Sequence, residues 1–307
     1  MSVTPRLVGF LAFLLAFCGA SQAQPSPTSA PAAPRLRVAV VQFRSGPDLA
    51  DNVVRIRQRI AECAAKDAQV VLFPECAVSS YSASAITKLT EAALLDAEKD
   101  ILAACATHRV HAIVGIPHHH AGGIFNSAIV VNAEGQLVTR HYKIHLVGGD
   151  TAWKCASGTE LSAVFRLGPV RTSLLICHDS RYPELVRLPA LAGARVVFYL
   201  SHESSVARES KLAPYRAQVQ ARAVENGVFM VHANAPADDM RTGSHGQSRI
   251  VAPDGNLIGE ASIFGEELLI ADLDLAQADG KTAARSLEGE PLSGWWREGL
   301  KLVRVIE

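Results

Sequence analysis

LLICHDSRYPEL, residues 174–185, places a cysteine where an apolar run stops and a polar, proline-containing segment begins. The run from Val170 reads as a buried strand, and Pro183 to Leu191 reads as a short helix. Cys177 therefore stands at a strand end that turns directly into a helix start, where nearby backbone amides and the positive end of the helix favour thiolate. That makes it a candidate nucleophile. Outward from this stretch the alternation of strand and helix continues both ways. Upstream, the pattern predicts strands at Leu36 to Phe43, Val70 to Phe73 and Ala112 to Ile116, with helices over Leu49 to Lys66 and Thr87 to His108. A hairpin follows, Phe125 to Asn132 and Gln136 to Lys143, around the turn Ala133 to Gly135. Downstream, strands are expected at Val196 to Leu200 and Val228 to Ala233 and a helix at Pro214 to Asn226. A second hairpin joins Gly246 to Val251 with Asn256 to Ile258 around Pro253, Asp254 and Gly255. Strands mixed with helices imply layers of helix over sheet, and the similar order in the two halves suits two stacked sheets with helices outside each.

The chain has 307 residues, 49% hydrophobic and 20% charged, with 30 basic residues balancing 30 acidic ones. This is a globular composition with enough residues for a core that needs no metal or disulfide staple. Zero formal net charge offers no broad field for nucleic acid or an anionic membrane, so neither is expected as a partner. At the amino end, Arg6 precedes a charge-free run from Leu7 to Ala20, too short to span a bilayer, and Ser21 and Ala23 stand where a signal peptidase cuts before Gln24. Residues 1–23 read as a signal peptide, 24–34 as a Pro/Ser/Ala-rich linker, 35–280 as the folded domain and 281–307 as a C-terminal extension. The expected location is periplasmic or secreted, with no membrane attachment after cleavage. Cys63, Cys76, Cys105, Cys155 and Cys177 remain after cleavage, an odd number, so at least one thiol stays free. Cys63 and Cys105 lie on helices that can share one outer layer, and an oxidising compartment permits a bridge between them.

Two further segments end apolar strands with ionisable residues. VVLFPE, 70–75, delivers Glu75 from a buried strand through a proline that fixes its exit, and a carboxylate in apolar surroundings has its pKa raised toward that of a general base. RHYKIHL, 140–146, places Lys143 just past the hairpin. The run His118, His119, His120 reads as a solvated loop and not a metal site, because alternate side chains at an extended strand end point to opposite faces. Arg222, Glu225 and Asn226 read as braces behind the site, and Arg181 and Glu184 as a local clamp on the nucleophile turn. Ser201, His202 and Glu203 follow a strand where pocket loops lie and are candidates for contact with substrate.

These segments together resemble the nitrilase superfamily, carbon-nitrogen hydrolases with a Glu, Lys, Cys triad. FPE, YKIHL, CHDSRYPEL, RAVENGVFMVHANA and SHGQSRIVAPDG occur in the family's order, and the resemblance spans Leu36 to about Asp274. It implies a four-layer α-β-β-α sandwich and hydrolysis of a non-peptide carbon-nitrogen bond in a small amide, without metal or organic cofactor. The implied roles are Glu75 as base, Cys177 as nucleophile forming a thioester, and Lys143 with the backbone amide of His178 holding the developing oxyanion. His178 and Asp179 after the cysteine resemble the amidase branch, while a nitrilase or an N-carbamoyl hydrolase is the alternative within the fold. Outside the fold, the alternative is an exported solute-binding protein, which has no need of Glu, Lys and Cys at three separate strand ends. The family's second glutamate falls on Thr151 here, with Asp150 the nearest acid, so either residue is a candidate for the fourth position. The resemblance also implies a homodimer.

Overall fold

The computed structural model describes residues 34–208 and 212–307, together with Met1. The signal peptide and most of the linker lie outside the described residues. Strands occupy β1 (Arg35–Gln42), β2 (Val70–Leu72), β3 (His111–His120), β4 (Gly123–Val131), β5 (Leu137–Tyr142), β6 (Cys155–Ala156), β7 (Val164–Leu167), β8 (Val170–Ile176), β9 (Val196–Ser201), β10 (Phe229–Asn234), β11 (Arg249–Val251), β12 (Leu257–Glu260), β13 (Glu267–Asp274) and β14 (Val305–Ile306). Helices are α1 (Leu49–Ala64), α2 (Ala83–Ile86), α3 (Glu91–His108), α4 (Gly148–Thr151), α5 (Glu184–Leu191), α6 (Leu212–Asn226), α7 (Lys281–Ala284) and α8 (Ser293–Leu300).

Two sheets result. The first runs β13-β1-β2-β3-β4-β5, with β6 also pairing β4, and the second runs β12-β11-β10-β9-β8-β7-β14. In the first, β1, β2 and β3 are parallel and β4 and β5 follow antiparallel. In the second, β8, β9 and β10 are parallel and β11 and β12 follow antiparallel. The likeness of the two halves in sequence is thus a likeness of strand pairing.

Period-two alternation assigns the faces. Val38, Val40, Leu72 and Val130 of the first sheet meet Leu174, Ile176, Phe198 and Val231 of the second in one buried layer. Ala39, Val41, Val71 and Ile129 point the other way, onto Val53, Ile56 and Ile60 of α1 and Leu94 and Ile101 of α3. Leu175, Val197 and Met230 likewise face Val186 of α5 and Val219 and Ala223 of α6. The result is an α-β-β-α sandwich, in accord with the sequence reading. The two helices over the first sheet, α1 and α3, start where short polar residues cap them: Asp48 accepts from the Asp51 amide at 2.8 Å and Thr90 from the Ala93 amide at 3.2 Å.

Several expectations are corrected. The run His118 to His120 ends strand β3 and is not a loop. His118 and His120 share one side, each stacked on Tyr142 with ring centroids 5.8 Å apart, while His119 bonds the Leu89 carbonyl. Cys63 and Cys105 are free thiols, buried in the layer between α1, α3 and the first sheet, where they serve as small apolar side chains; burial pushes both up to about 12. β13, absent from the sequence reading, pairs along the whole of β1 and returns the chain to the first sheet. At the C-terminal end, α8 packs near α5, and β14 pairs with β7 through Val305 and Ile306. Among the described residues no helix is long and apolar enough to cross a membrane.

Candidate active site

In open parallel sheets the loops at the carboxyl ends of the strands collect functional groups. Here β2 hands over to Glu75, β8 to Cys177 and β9 to His202 and Glu203, and the hairpin strand β5 delivers Lys143 beside them. The segment carrying Glu75 crosses directly over Gly115 of β3: a Cβ at Gly115 would lie 2.3 Å from the Pro74 carbonyl oxygen and 2.5 Å from the Cys76 amide. Glycine is required there by close approach, not by a turn.

Glu75, Lys143 and Asp150 form one buried cluster, with Lys143 and Asp150 fully inaccessible and Glu75 only 1% exposed. The Lys143 ammonium lies 2.8 Å from Glu75 Oε1 and 2.8 Å from Asp150 Oδ2. Asn126 Nδ2 donates to Glu75 Oε1 at 2.7 Å and to Asp150 Oδ1 at 3.0 Å. The second Glu75 oxygen accepts from the backbone amide of His202 at 2.8 Å, and Asp150 Oδ2 accepts from the Val147 amide at 2.9 Å. Of the two candidates for the fourth position, Asp150 joins the cluster. Thr151 is exposed, its hydroxyl turned back to the Gly148 carbonyl at 3.1 Å.

Burial raises the Glu75 carboxyl above the usual range, with the Asp150 charge adding to the rise and Lys143 opposing it. Burial would lower Lys143, but the anions around it prevail and hold the ammonium charged. Cys177 is 5% exposed, at a left-handed φ of 48° that opens the 3-10 turn Cys177–Arg181. Burial pushes its thiol well up, with Glu203 and Glu75 reinforcing the effect and Lys143 opposing it. Burial, the largest influence, thus opposes the thiolate that the helix start favours, and the carboxylates of Glu203, Glu75 and Asp150 act in the same direction.

Sequence reasoning missed Asn126, Asp179 and Tyr81. Asp179, fully buried two residues past Cys177, accepts from the amides of Ile144 at 3.3 Å and His145 at 2.8 Å, so it ties the nucleophile turn to the chain leaving Lys143. Tyr81 stacks on His202 with ring centroids 5.2 Å apart, and its ring lies 5.6 Å from the Lys143 ammonium. The available signal for Asn126 was one amide side chain inside an apolar strand, GIFNSAIVV, where a polar group demands buried partners. Of the three residues proposed to touch substrate, Ser201 is fully buried and bonded to Asn234 and His232, His202 holds Glu75 through its amide, and Glu203 accepts from Tyr199. Arg222 braces the carbonyls of Ser180 and Arg181 at 3.2 and 3.4 Å, and the Arg181 guanidinium sits over the Tyr215 ring at 4.5 Å. A cavity of about 600 Å³ lies elsewhere, lined by Thr139, Arg140, Tyr142, Glu160 and Arg304 among others, and contains none of the clustered groups. Among the described residues no group of three or more His, Cys, Asp or Glu is placed to hold a metal.

Comparison with known proteins agrees with the fold. The carbon-nitrogen hydrolase family model matches residues 37–281. A protein described as a hydrolase in the agr operon of Staphylococcus lugdunensis is 30% identical over 223 residues, covering 70% of this chain and 92% of its own. An omega-amidase of Xenopus laevis is 28% identical over 251 residues, covering 78% and 89%. Among solved structures, the Nesterenkonia AN1 amidase of the nitrilase superfamily superposes with a TM-score of 0.72 at 25% identity, covering 82% of this chain and 95% of that one. Another structure of that amidase, also at 25% identity, carries the acetamide moiety of fluoroacetamide covalently added at its active-site cysteine. With the sandwich and the order of motifs, the family match makes this chain a member of the carbon-nitrogen hydrolases of the nitrilase superfamily, an amidase-like hydrolase of carbon-nitrogen bonds other than peptide bonds.

Proposed function

We propose that the protein hydrolyses a small amide through a thioester on Cys177. The observation that carries the reading is the buried Glu75–Lys143–Asp150 cluster facing the nucleophile turn. Burial pushes the Cys177 thiol up, so the reaction calls for a base, and Glu75, its carboxyl raised by burial, is suited to take that proton as sulfur attacks the carbonyl carbon. The negative charge that develops on the substrate oxygen is met by the Lys143 ammonium and the backbone amide of His178. Collapse breaks the carbon-nitrogen bond as Glu75 returns the proton to the departing nitrogen, and ammonia or an amine leaves. Water, giving a proton to the same carboxylate, then attacks the thioester, releasing the acid and restoring the thiol. Asp150 keeps Lys143 charged and, with Asn126, fixes the orientation of Glu75. The covalent adduct at the active-site cysteine of the Nesterenkonia amidase supports a cysteine nucleophile here.

The test is a screen of small amides, carbamoyl compounds and nitriles with ammonia detection, paired with intact mass measurement during turnover. Amide turnover with an acyl increment on Cys177 is the expected result. Ammonia release without any acyl adduct under rapid quench, or turnover of nitriles alone, would reject the reading. Export through residues 1–23 and assembly as a homodimer belong to the same proposal, supported by the leader pattern and by the family resemblance.

A further inference from the structure

Two residues of the loop after β9 reach opposite sides of the site. The His202 amide donates to Glu75 Oε2 at 2.8 Å. The neighbouring Glu203, itself 9% exposed, accepts at Oε1 from the Tyr199 hydroxyl at 2.5 Å, and the Ser180 hydroxyl donates to Tyr199 at 3.1 Å. Ser180 lies in the 3-10 turn that Cys177 opens, and its oxygen accepts from Gln218 of α6 at 2.7 Å. We propose that Glu203 is a positioning residue for the nucleophile, the far end of a buried strut, Glu203–Tyr199–Ser180, that holds the turn carrying Cys177 on the same loop that holds Glu75.

The strut's role rests on Cys177 being the nucleophile, and the mechanism above uses none of its three residues. A non-glycine residue at a φ of 48° persists only where its surroundings fix it. The direction of the hydrogen bonds supplies that fixing: each hydroxyl has one proton, Ser180 spends its own on Tyr199 and Tyr199 spends its own on Glu203, so the chain needs an obligate acceptor at its end. A carboxylate is that acceptor. Tyr199 is almost wholly buried against His232, with ring centroids 4.1 Å apart, so the strut cannot swing away. The charged and titratable groups around Glu203 are Tyr199, Tyr215, Arg181 and Lys143, with Arg249 and Cys177 beyond them. After burial itself, the Glu203 charge does most to push the Cys177 thiol up.

Tyr199→Phe and Ser180→Ala each cut the strut while leaving the carboxylate. Both are expected to lower kcat by roughly tenfold or more with KM within about twofold, a displaced nucleophile costing rate and not binding. Glu203→Gln keeps an acceptor for Tyr199 and should hold kcat within about threefold of wild type, whereas Glu203→Leu removes the acceptor and should fall with the two strut variants. Wild-type kcat in both strut variants, or equal losses in Glu203→Gln and Glu203→Leu, overturns the proposal. Ser180→Ala removes one hydroxyl and keeps the test valid if a variant at the buried tyrosine fails to fold. Full turnover by Cys177→Ala would instead reject the hydrolytic reading.

Discussion

At Cys177 the decisive quantity is the protonation state of a buried thiol. Burial pushes that thiol up, with the neighbouring carboxylates adding to the rise, so the chemistry depends on Glu75 being ionised when substrate arrives. Cys177→Ala should give a folded protein with no measurable turnover, read by circular dichroism and ammonia release, because no other group supplies the covalent step. Glu75→Gln should suppress both acylation and deacylation by about 10²-fold or more, read by quenched-flow mass measurement. Because Glu75 must be charged to act and its folded-state pKa is raised, kcat/KM should fall on the acid side at a pH above the usual carboxylate range. Asp150 contributes to that rise, so Asp150→Asn should move the acid limb to lower pH while costing about 10²-fold in kcat through loosened Lys143. Thr151→Val, at an exposed residue, should leave both unchanged. Equal losses in the two variants would contradict the assignment of Asp150.

Element geometry converts these residues into a site. Pro74 and the glycine beneath it decide where Glu75 emerges, and Asp179 decides how far Lys143 stands from the nucleophile turn. Gly115→Ala is expected to push the 74–76 segment outward and reduce kcat by at least tenfold, since a Cβ there would sit 2.3 Å from a backbone oxygen that has no flexible end to move. Thermal unfolding of the same variant, compared with a steady-state assay, separates displacement of the base from loss of the fold. Strand ends were legible in the sequence because apolar runs stop at them, and Glu75, Lys143 and Cys177 at such ends took their roles from resemblance to the family's motifs. Asn126 and Asp179 were not legible as site residues, because each acts on partners 24 to 51 positions away that only strand register brings near.

For the whole molecule, the return of β13 to the first sheet and the pairing of β14 with β7 extend both sheets beyond what the two similar halves form by themselves. Truncation after Leu302 removes β14 and the contact of Ile306 with the inter-sheet core, and should lower Tm by several degrees while leaving KM for the amide unchanged, measured by calorimetry and steady-state kinetics. Amino-terminal sequencing of protein recovered from the producing cell's exported fraction should begin at Gln24. The sequence by itself determined the alternation of helix and strand and the sorting of side chains into inward and outward faces, because periodicity and abrupt polar stops are local properties of the chain; the triad it named only through resemblance to the family's motifs. Only the tertiary structure decided that Asp150 and not Thr151 meets Lys143, that Cys63 and Cys105 stay unbridged in a packed layer, and that burial opposes the Cys177 thiolate. Each of these depends on distances and on water exclusion between segments remote in sequence, and desolvation of a charge is not defined until those segments have closed around it.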